Sequence, residues 1–258
     1  MLSIYSSAFQ LETNNIFGWQ KSFRNSCETS DELVIALNTS TDNSEELIRA
    51  ELKEYDNWRI IHTSFTKDQP GFDGLIKNAA MQECSGEFKL CVDADEFILP
   101  RHRPLWENLC FQLQFDNCLG YALPSLDLYL DWSGYKALNS KVYLSKGKTF
   151  RGIANQIKKP GGFVDTTRDD SCCLITEDGN YAPVKFLPND LSAIENDESV
   201  VIVHMGYLSI DSRIQRTKNF WAQHWLDCAG GTLPAHKIHL DETTFGHYDY
   251  KPHNLKLV

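Results

Sequence analysis

Short apolar segments alternate with amphipathic segments along the first hundred residues of the chain. The unbroken apolar run Leu33–Leu37 is typical of a strand that is covered on both faces. Between such runs, apolar residues recur at helical spacing, and Asp42 or Asn43 is suited to cap the second helix. The predicted strands are Leu2–Ser6, Leu33–Leu37, Trp58–His62 and Phe88–Val92, and the predicted helices are Asn15–Cys27, a helix with Leu47, Ile48 and Leu52 on its inner face, and Leu75–Glu83.

This alternating order predicts an α/β fold with a mostly parallel central sheet flanked by helices. The second half is less regular and predicts a mixture of strands and loops, followed by an amphipathic helix over Asp211–Ala229. Because no repeat and no linker divides the chain, we expect one domain over residues 1–258, with halves 1–100 and 101–258. The strands predicted in the second half are Tyr121–Tyr129, Lys141–Ser145, Phe150–Ile157 and Val200–Val203.

Composition excludes several classes of protein. The formal net charge of −10 over 258 residues disfavours a general polyanion binder. No apolar run reaches the roughly 18 residues that a membrane helix needs, and the N-terminus lacks the pattern of a signal peptide. The eight cysteines form no C-x-x-C pair, so we expect reduced thiols in a cytoplasmic protein without a structural zinc site.

The segment Asp93-Ala-Asp95 follows the fourth predicted strand. Side chains alternate along an extended segment, so both carboxylates are expected on one face. Oxygen ligands suit Mg²⁺ or Mn²⁺, and such an ion can neutralise a diphosphate leaving group. Capping of the following turn by the same residues is the alternative, but ligands of parallel sheets bind at the carboxyl ends of strands. The position therefore favours a metal site.

Three further polar features lie near strand ends or on the preceding helix. Asn38–Asp42 follows the second strand and could hold a nucleoside by hydrogen bonds, although Asp42 is also suited to cap a helix. Lys77 is either a solvated helix residue or a phosphate contact. His204 follows an apolar run and precedes a glycine, so it is either a metal ligand or a hydrogen-bonded core histidine.

Taken together, these segments resemble the family-2-type glycosyltransferases of the GT-A fold. The resemblance covers roughly the first 100 residues and continues more loosely in the C-terminal half. Over the intervening residues 105–195 it is faint. The residues that carry it are Leu2–Phe9, Asp31–Ile35, Asn38–Asp42, Lys77-Asn78, Gly86–Phe88, Asp93–Phe97, His204–Tyr207 and Lys218.

The resemblance implies a nucleotide-sugar donor and a divalent metal, Mn²⁺ or Mg²⁺. Ser7 and Asn38 would face the nucleobase, and Asp93 would contact the ribose or a metal-bound water. Asp95 would bind the metal directly, and His204 would complete the metal or diphosphate site. Where this chain has Asn38, the family commonly has an acidic residue, and that acid accepts the N3–H of uracil. A UDP-sugar is therefore the expected donor, with the base left open by the amide at this position.

The resemblance also implies a phosphate contact and, for an inverting enzyme, a general base in the second half. Lys218 is expected to contact the leaving diphosphate, although it also fits a simple amphipathic helix. Glu177-Asp178 most resembles the acidic pair of the family, but an acidic solvated loop explains these residues equally well. The candidates for the base are Asp169, Asp170, Glu177 and Asp178.

The expected function is metal-dependent transfer of a sugar from a nucleotide sugar to an acceptor hydroxyl, with inversion. Residues 1–100 would bind the donor and residues 101–258 the acceptor. The acceptor is a glycan or another hydroxyl-bearing substrate, and nucleic acid enters only as a hydroxylated DNA base of a phage. A haloacid-dehalogenase-like phosphatase and a non-catalytic nucleotide-sugar-binding module are the alternatives. The phosphatase requires Thr or Val where this chain has Phe97.

Overall fold

The computed structural model describes residues 1–66, 72–151, 174–209, 211 and 250–257. Eleven described segments form the sheet or the helices of the first two-thirds of the chain. They are β1 (Leu2–Ala8), α1 (Trp19–Thr29), β2 (Glu32–Asn38), α2 (Ser44–Glu51), β3 (Trp58–Thr63), α3 (Phe72–Glu83), β4 (Phe88–Cys91), β5 (Glu96–Ile98), α4 (Arg103–Phe115), β6 (Gly120–Tyr129) and β7 (Asp131–Lys146).

Seven shorter segments complete the described secondary structure. A single 3₁₀ turn, Pro100–His102, leads into α4. The others are β8 (Phe150–Arg151), β9 (Leu174–Ile175), β10 (Val184–Phe186), α5 (Leu191–Glu195), β11 (Ile202–His204) and β12 (Lys251–Pro252).

The main sheet has the strand order β3-β2-β1-β4-β7-β6-β11-β5. Its first four strands are parallel, whereas β6 and β7 form a long antiparallel hairpin that joins them to β11. β2 is buried along its whole length, as its unbroken apolar run predicts. Helix α3 packs against β1 and β2, and α1 packs against β2 and β5. The predicted α/β fold, with a mostly parallel sheet flanked by helices, is confirmed.

The start of the first helix differs from the prediction. The helix begins at Trp19 rather than Asn15, because Gly18 has a φ of 82° and ends the preceding series of turns. A side chain at Gly18 would also collide with Met205, since a Cβ there would lie 2.6 Å from the Met205 methyl carbon. The next helix carries Leu47 on its exposed side, so the prediction that Leu47 faces the core is wrong.

The structure differs more from the prediction after β4. Strand β5 and helix α4 are not among the predicted elements, and β7 extends over 16 residues where the sequence predicted only Lys141–Ser145. The apolar stripe of α4, formed by Trp106, Cys110 and Leu113, is buried at helical spacing. Residues 152–157 of the strand predicted over Phe150–Ile157 lie outside the described residues. So does the body of the helix predicted over Asp211–Ala229.

Glu32, at the start of β2, connects four parts of the fold. Its carboxylate accepts hydrogen bonds from the hydroxyl of Ser3, the guanidinium of Arg59 and the backbone N–H of Ser85, the last at 2.9 Å. Burial opposes ionisation of Glu32, but these hydrogen bonds outweigh it and hold the pKa of the carboxyl below its usual range. The charge of Glu32 therefore stabilises the junction of β1, β2, β3 and the turn before β4.

Glu32→Gln should lower the free energy of unfolding by about 1–2 kcal/mol at neutral pH, because it weakens hydrogen bonds to a charged group. Because the pKa of Glu32 is lower in the folded state than in the unfolded state, its charge stabilises the fold at pH values above the unfolded-state pKa of ~4.3. This stability is lost as the pH falls through the folded-state pKa. Urea unfolding across this range should show the two proteins converging in acid. Glu87→Gln, at an exposed position, is the control. A constant difference at all pH values would contradict this account.

Candidate functional site

Four acidic residues and a histidine meet where β4, β6 and β11 end and β5 begins. His204 lies between β5 and β6 in the sheet, with Glu96 and Asp127 as its direct neighbours in the two ladders. Asp93 and Asp95 lie in the connection from β4 to β5. Parallel pairing of β6 with β11 and antiparallel pairing of β11 with β5 therefore place these side chains at one edge of the sheet.

The connection from β4 to β5 is a turn fastened at both ends. The backbone N–H of Glu96 donates to the carbonyl of Asp93 at 2.9 Å, and the carboxylate of Glu96 accepts the backbone N–H of Asp93 at 3.0 Å. Glu96 is completely buried, and its other carboxylate oxygen accepts from Lys141 and Tyr143, each at 2.7 Å. A charged, fully hydrogen-bonded side chain thus fixes the backbone that carries Asp93.

Asp93 is paired with Lys77 of helix α3. The Nζ atom of Lys77 lies 2.8 Å from Asp93 and 2.8 Å from Asp73, and Lys77 is almost entirely buried. Burial opposes ionisation of Asp93, but the Lys77 ammonium outweighs it and lowers the pKa of Asp93 to about 2. Asp93 is therefore ionised, and one of its oxygens is directed to Lys77.

Asp95 is paired with His204. The Nε2 atom of His204 lies 3.2 Å from Oδ2 of Asp95, and the Nδ1 atom lies 2.9 Å from Oδ1 of Asp127. The backbone N–H of Met205, the residue after His204, also donates to the carbonyl of Asp95 at 2.7 Å. Burial disfavours the charged ring, but the carboxylates of Asp95 and Asp127 outweigh it and raise the pKa of His204 to about 9.

The geometry of the D-x-D segment differs from the prediction. An extended segment would direct both carboxylates to one face, whereas the segment forms a turn after β4. As a consequence, Asp93 faces Lys77 and Asp95 faces His204. The two acids are close enough for the charge of Asp95 to act on Asp93, but each has its own cationic partner.

Gly206 leaves space beside the Asp95–His204 pair. A Cβ atom at position 206 would lie 2.5 Å from Nε2 of His204 and 3.0 Å from Oδ2 of Asp95. One hard oxygen and one imidazole nitrogen therefore face a space that even a methyl group would fill, and both atoms are accepted ligands of Mn²⁺ or Mg²⁺. Within the described residues, no group of three or more His, Cys, Asp or Glu side chains is arranged to hold an ion. The donor set thus fits a metal that takes its remaining ligands from a diphosphate and water.

The three residues predicted to contact the nucleoside lie at the ends of β1 and β2. Ser7 is half-buried near the end of β1. The amide of Asn38 is held by the third strand, since Nδ2 donates to the carbonyl of Phe65 at 2.9 Å and Oδ1 accepts from Thr63 and the Phe65 N–H. Asp42 accepts from the backbone N–H groups of Thr13 and Ser44, the first residue of α2, whereas the N-cap residue Asn43 makes no side-chain capping bond.

The structure does not bring Glu177 and Asp178 to this edge. Both lie in the tight turn after β9, where Glu177 pairs with Lys148 at 3.3 Å. Lys148 follows Lys146, which pairs with Phe88 at the beginning of β4. The turn is therefore at the amino end of β4, opposite the end that carries the acidic cluster. Asp169, Asp170 and Lys218 lie outside the described residues.

The sequence analysis did not identify two members of the cluster, Glu96 and Asp127. Asp127 is the one acidic residue in the fully buried strand β6, and an acid in a buried strand needs a partner. Glu96 directly follows the D-x-D segment and lies three residues after Asp93. A side-chain acceptor at that spacing often returns to the backbone N–H of the first residue of a turn, which was the available signal.

The sequence profile of glycosyl transferase family 2 matches residues 20–156, just over half of the chain. This stretch contains the second strand, helix α3 and the complete D-x-D turn. The chain belongs to glycosyl transferase family 2. No curated protein matches the sequence.

Solved structures show similarity at low sequence identity. S. aureus TarS is 14% identical with a TM-score of 0.47, and the match covers 92% of this chain but 41% of TarS. The family 2 chain described here thus spans less than half the length of that protein. The mannosyltransferase PcManGT from Pyrobaculum calidifontis, solved with GDP-Man and Mn²⁺, is 15% identical with a TM-score of 0.47, over 90% of this chain and 65% of the other.

Gly206→Ala should weaken Mn²⁺-dependent nucleotide binding by about tenfold or more, because the new methyl group occupies the space in front of His204 and Asp95. Some stability should be lost through overpacking, about 1–3 kcal/mol. Calorimetric titration of Mn²⁺ in the presence of a nucleoside diphosphate measures the effect.

Gly147→Ala is the matched control for this variant. Position 147 has open space but a φ of 67°, so the substitution costs stability without approaching the site. Equal Mn²⁺ affinity in the two glycine variants would show that the space beside Gly206 is not used.

Proposed function

We propose that this chain transfers a sugar from a nucleotide-sugar donor to an acceptor hydroxyl, with a divalent metal and with inversion at the anomeric carbon. The observation that carries the proposal is the Asp95–His204 pair, which lies beside Gly206 at the carboxyl edge of the sheet in a family 2 domain. Family membership also removes the phosphatase alternative. A non-catalytic binding module would bind the donor equally well, so turnover is the property that distinguishes it.

Asp95 and His204 are the proposed protein ligands of Mn²⁺ or Mg²⁺, and Asp93 acts beside them through the ribose or a metal-bound water. When bound, the ion would neutralise the charge that develops on the leaving diphosphate. Asp95 and His204 are buried and held from behind by Met205 N–H and Asp127, so they need little rearrangement to bind. Such preorganisation is the protein's contribution to stabilising the departing group.

The donor half is proposed to be residues 1–100, and the acceptor half residues 101–258. Ser7, Asn38 and Asp42 lie at the ends of the first two strands, where parallel sheets bind nucleotides. Lys77 and Lys218 are the proposed phosphate contacts. Both ends of the Asn38 amide are hydrogen-bonded to Thr63 and Phe65, so the side chain is fixed at the end of β2. We propose a UDP-sugar as donor, and the base is tested by direct comparison with GDP.

In the transfer, the acceptor oxygen forms a bond to the anomeric carbon while the bond from that carbon to the diphosphate oxygen breaks. The diphosphate leaves with the bonding electrons, and a general base removes the proton from the acceptor hydroxyl. Glu177, Asp178 and Asp170 are the candidates for this base. Because the turn with Glu177 and Asp178 lies at the far end of β4, we propose Asp170 as the first of them to test.

The proposed acceptor is a glycan or another molecule that presents a hydroxyl group. Among the described residues, no helix is both long enough and apolar enough to cross a membrane. The sequence is acidic overall, with a net charge of −10, so a nucleic-acid acceptor would be confined to a modified base.

Asp95→Ala should abolish the increase in Mn²⁺ affinity that a nucleoside diphosphate provides, because it removes the one hard oxygen ligand of the pair. Wild type should bind Mn²⁺ weakly alone and tightly with UDP or GDP, since the protein supplies only part of the ligand set. Calorimetry measures both affinities. Asp56→Ala removes an exposed carboxylate of the same charge and is the control. Wild-type Mn²⁺ binding by Asp95→Ala would exclude the proposed metal site.

Asp170→Asn should lower kcat by about 10²–10⁴-fold, the usual contribution of a general base, with donor affinity retained. Asp178→Asn should leave kcat near the wild-type value, because its carboxylate is held by Thr176 and Asn180 in a turn remote from Asp95. Transfer from a radiolabelled nucleotide sugar to water or to a glycan mixture provides the rate. If Asp178→Asn loses turnover and Asp170→Asn does not, the order of the candidates is reversed.

A further inference from the structure

Asp127 contacts His204 on the side of the ring away from Asp95 and Gly206. Its Oδ1 atom lies 2.9 Å from Nδ1 of His204, on the opposite side of the ring from Asp95. We infer that Asp127 is a positioning residue, which fixes the ring of His204 so that Nε2 is presented to the metal of the proposed function. This inference rests on that function, and it gives a role to Asp127, which the sequence analysis did not identify.

The carboxylate of Asp127 is itself held in one orientation. Its second oxygen, Oδ2, accepts from Nδ2 of Asn139 at 3.0 Å and lies 3.7 Å from Nζ of Lys136. Both partners come from β7, the strand paired with the one that carries Asp127. With Oδ2 committed to these groups, Oδ1 is directed to His204. The hydrogen-bonded chain Asn139–Asp127–His204–Asp95 is therefore continuous across the sheet, with Asn139 at its exposed end and the other three residues buried.

The hydrogen bond to Asp127 fixes the orientation of the His204 ring. A carboxylate can only accept, so Asp127 holds the N–H of Nδ1 and leaves Nε2 on the side of Asp95 and Gly206. Without Asp127, the ring could rotate and exchange the positions of its two nitrogens. Partners of this kind commonly affect metal affinity by about 10–100-fold.

The ring has a second restraint, which does not replace the first. Tyr207 packs edge-on against His204 with ring centroids 5.7 Å apart, and Nζ of Lys136 lies 3.5 Å from the centroid of the Tyr207 ring. These contacts limit the tilt of the imidazole but do not distinguish its two nitrogens. The choice of nitrogen depends on Asp127.

The test compares Asp127→Ala, which removes the acceptor, with Asp127→Asn, which keeps an oxygen of the same size and position. Mn²⁺ affinity is measured by calorimetry with saturating UDP, and again with GDP. UDP and GDP affinities are also measured in EDTA. We expect Asp127→Ala to weaken Mn²⁺ binding about 10–100-fold and Asp127→Asn to recover part of the loss, with nucleotide affinity in EDTA unchanged.

Asp116→Asn is the matched control. Like Asp127, Asp116 accepts a side-chain hydrogen bond, here from Tyr121, and pairs with a lysine, but it lies far from His204. Should Asp127→Ala fail to fold, Asn139→Ala leaves Asp127 in place but releases its Oδ2, and a smaller loss of Mn²⁺ affinity is expected. Near-ultraviolet circular dichroism reports whether each variant is folded.

Two results would overturn the positioning role. One is that folded Asp127→Ala binds Mn²⁺ as tightly as the wild type, while Asp95→Ala and His204→Gln both lose Mn²⁺ affinity. The other is an equal loss of nucleotide affinity in EDTA, which would mark a general structural defect. If Asp95→Ala and His204→Gln both bind Mn²⁺ with wild-type affinity, the proposed metal site is excluded, and the inference about Asp127 is excluded with it.

Discussion

Compensation of buried negative charge is the constraint on which the carboxyl edge of this sheet depends. Asp95, Glu96 and Asp127 are buried, and an ionised carboxylate without a partner inside a protein is very costly. Each is matched by a cation from another element, with Lys141 on Glu96 and His204 between the other two. Removing Lys141 or His204 would weaken the compensation of at least one buried carboxylate, so the members of the cluster depend on one another.

This compensation links parts of the chain that are far apart in sequence. The helix before β4 contributes Lys77, the β6–β7 hairpin contributes Asp127 and Lys141, and β11 contributes His204. The D-x-D turn alone is short and would be free to change shape. Glu96 prevents this, because it accepts the backbone N–H at the start of the turn while being neutralised from the hairpin. The first half of the chain therefore obtains its rigid site only when the second half has folded onto it.

Local sequence patterns were sufficient to predict the alternating strands and helices of the first half of the fold and the position of Asp95 at the end of a strand. The run Leu33–Leu37 identifies a buried strand because burial on both faces excludes polar residues. The position of Asp95 after an apolar strand likewise predicted that it lies at the carboxyl end of β4. Features set by distant contacts were not accessible in this way. The delayed start of the first helix depends on Gly18 packing against Met205, and the importance of Asp127 depends on a histidine in another strand.

The two acids of the D-x-D segment have different surroundings, and this difference separates their roles. Asp93 is bound to Lys77, whose ammonium also binds Asp73, so a donor phosphate that approaches Lys77 has to compete with two carboxylates. Asp95 pairs with the imidazole of His204, beside the backbone of Gly206. Lys77 therefore fixes Asp93 on the side of α3, whereas Asp95 is held from the side of β11.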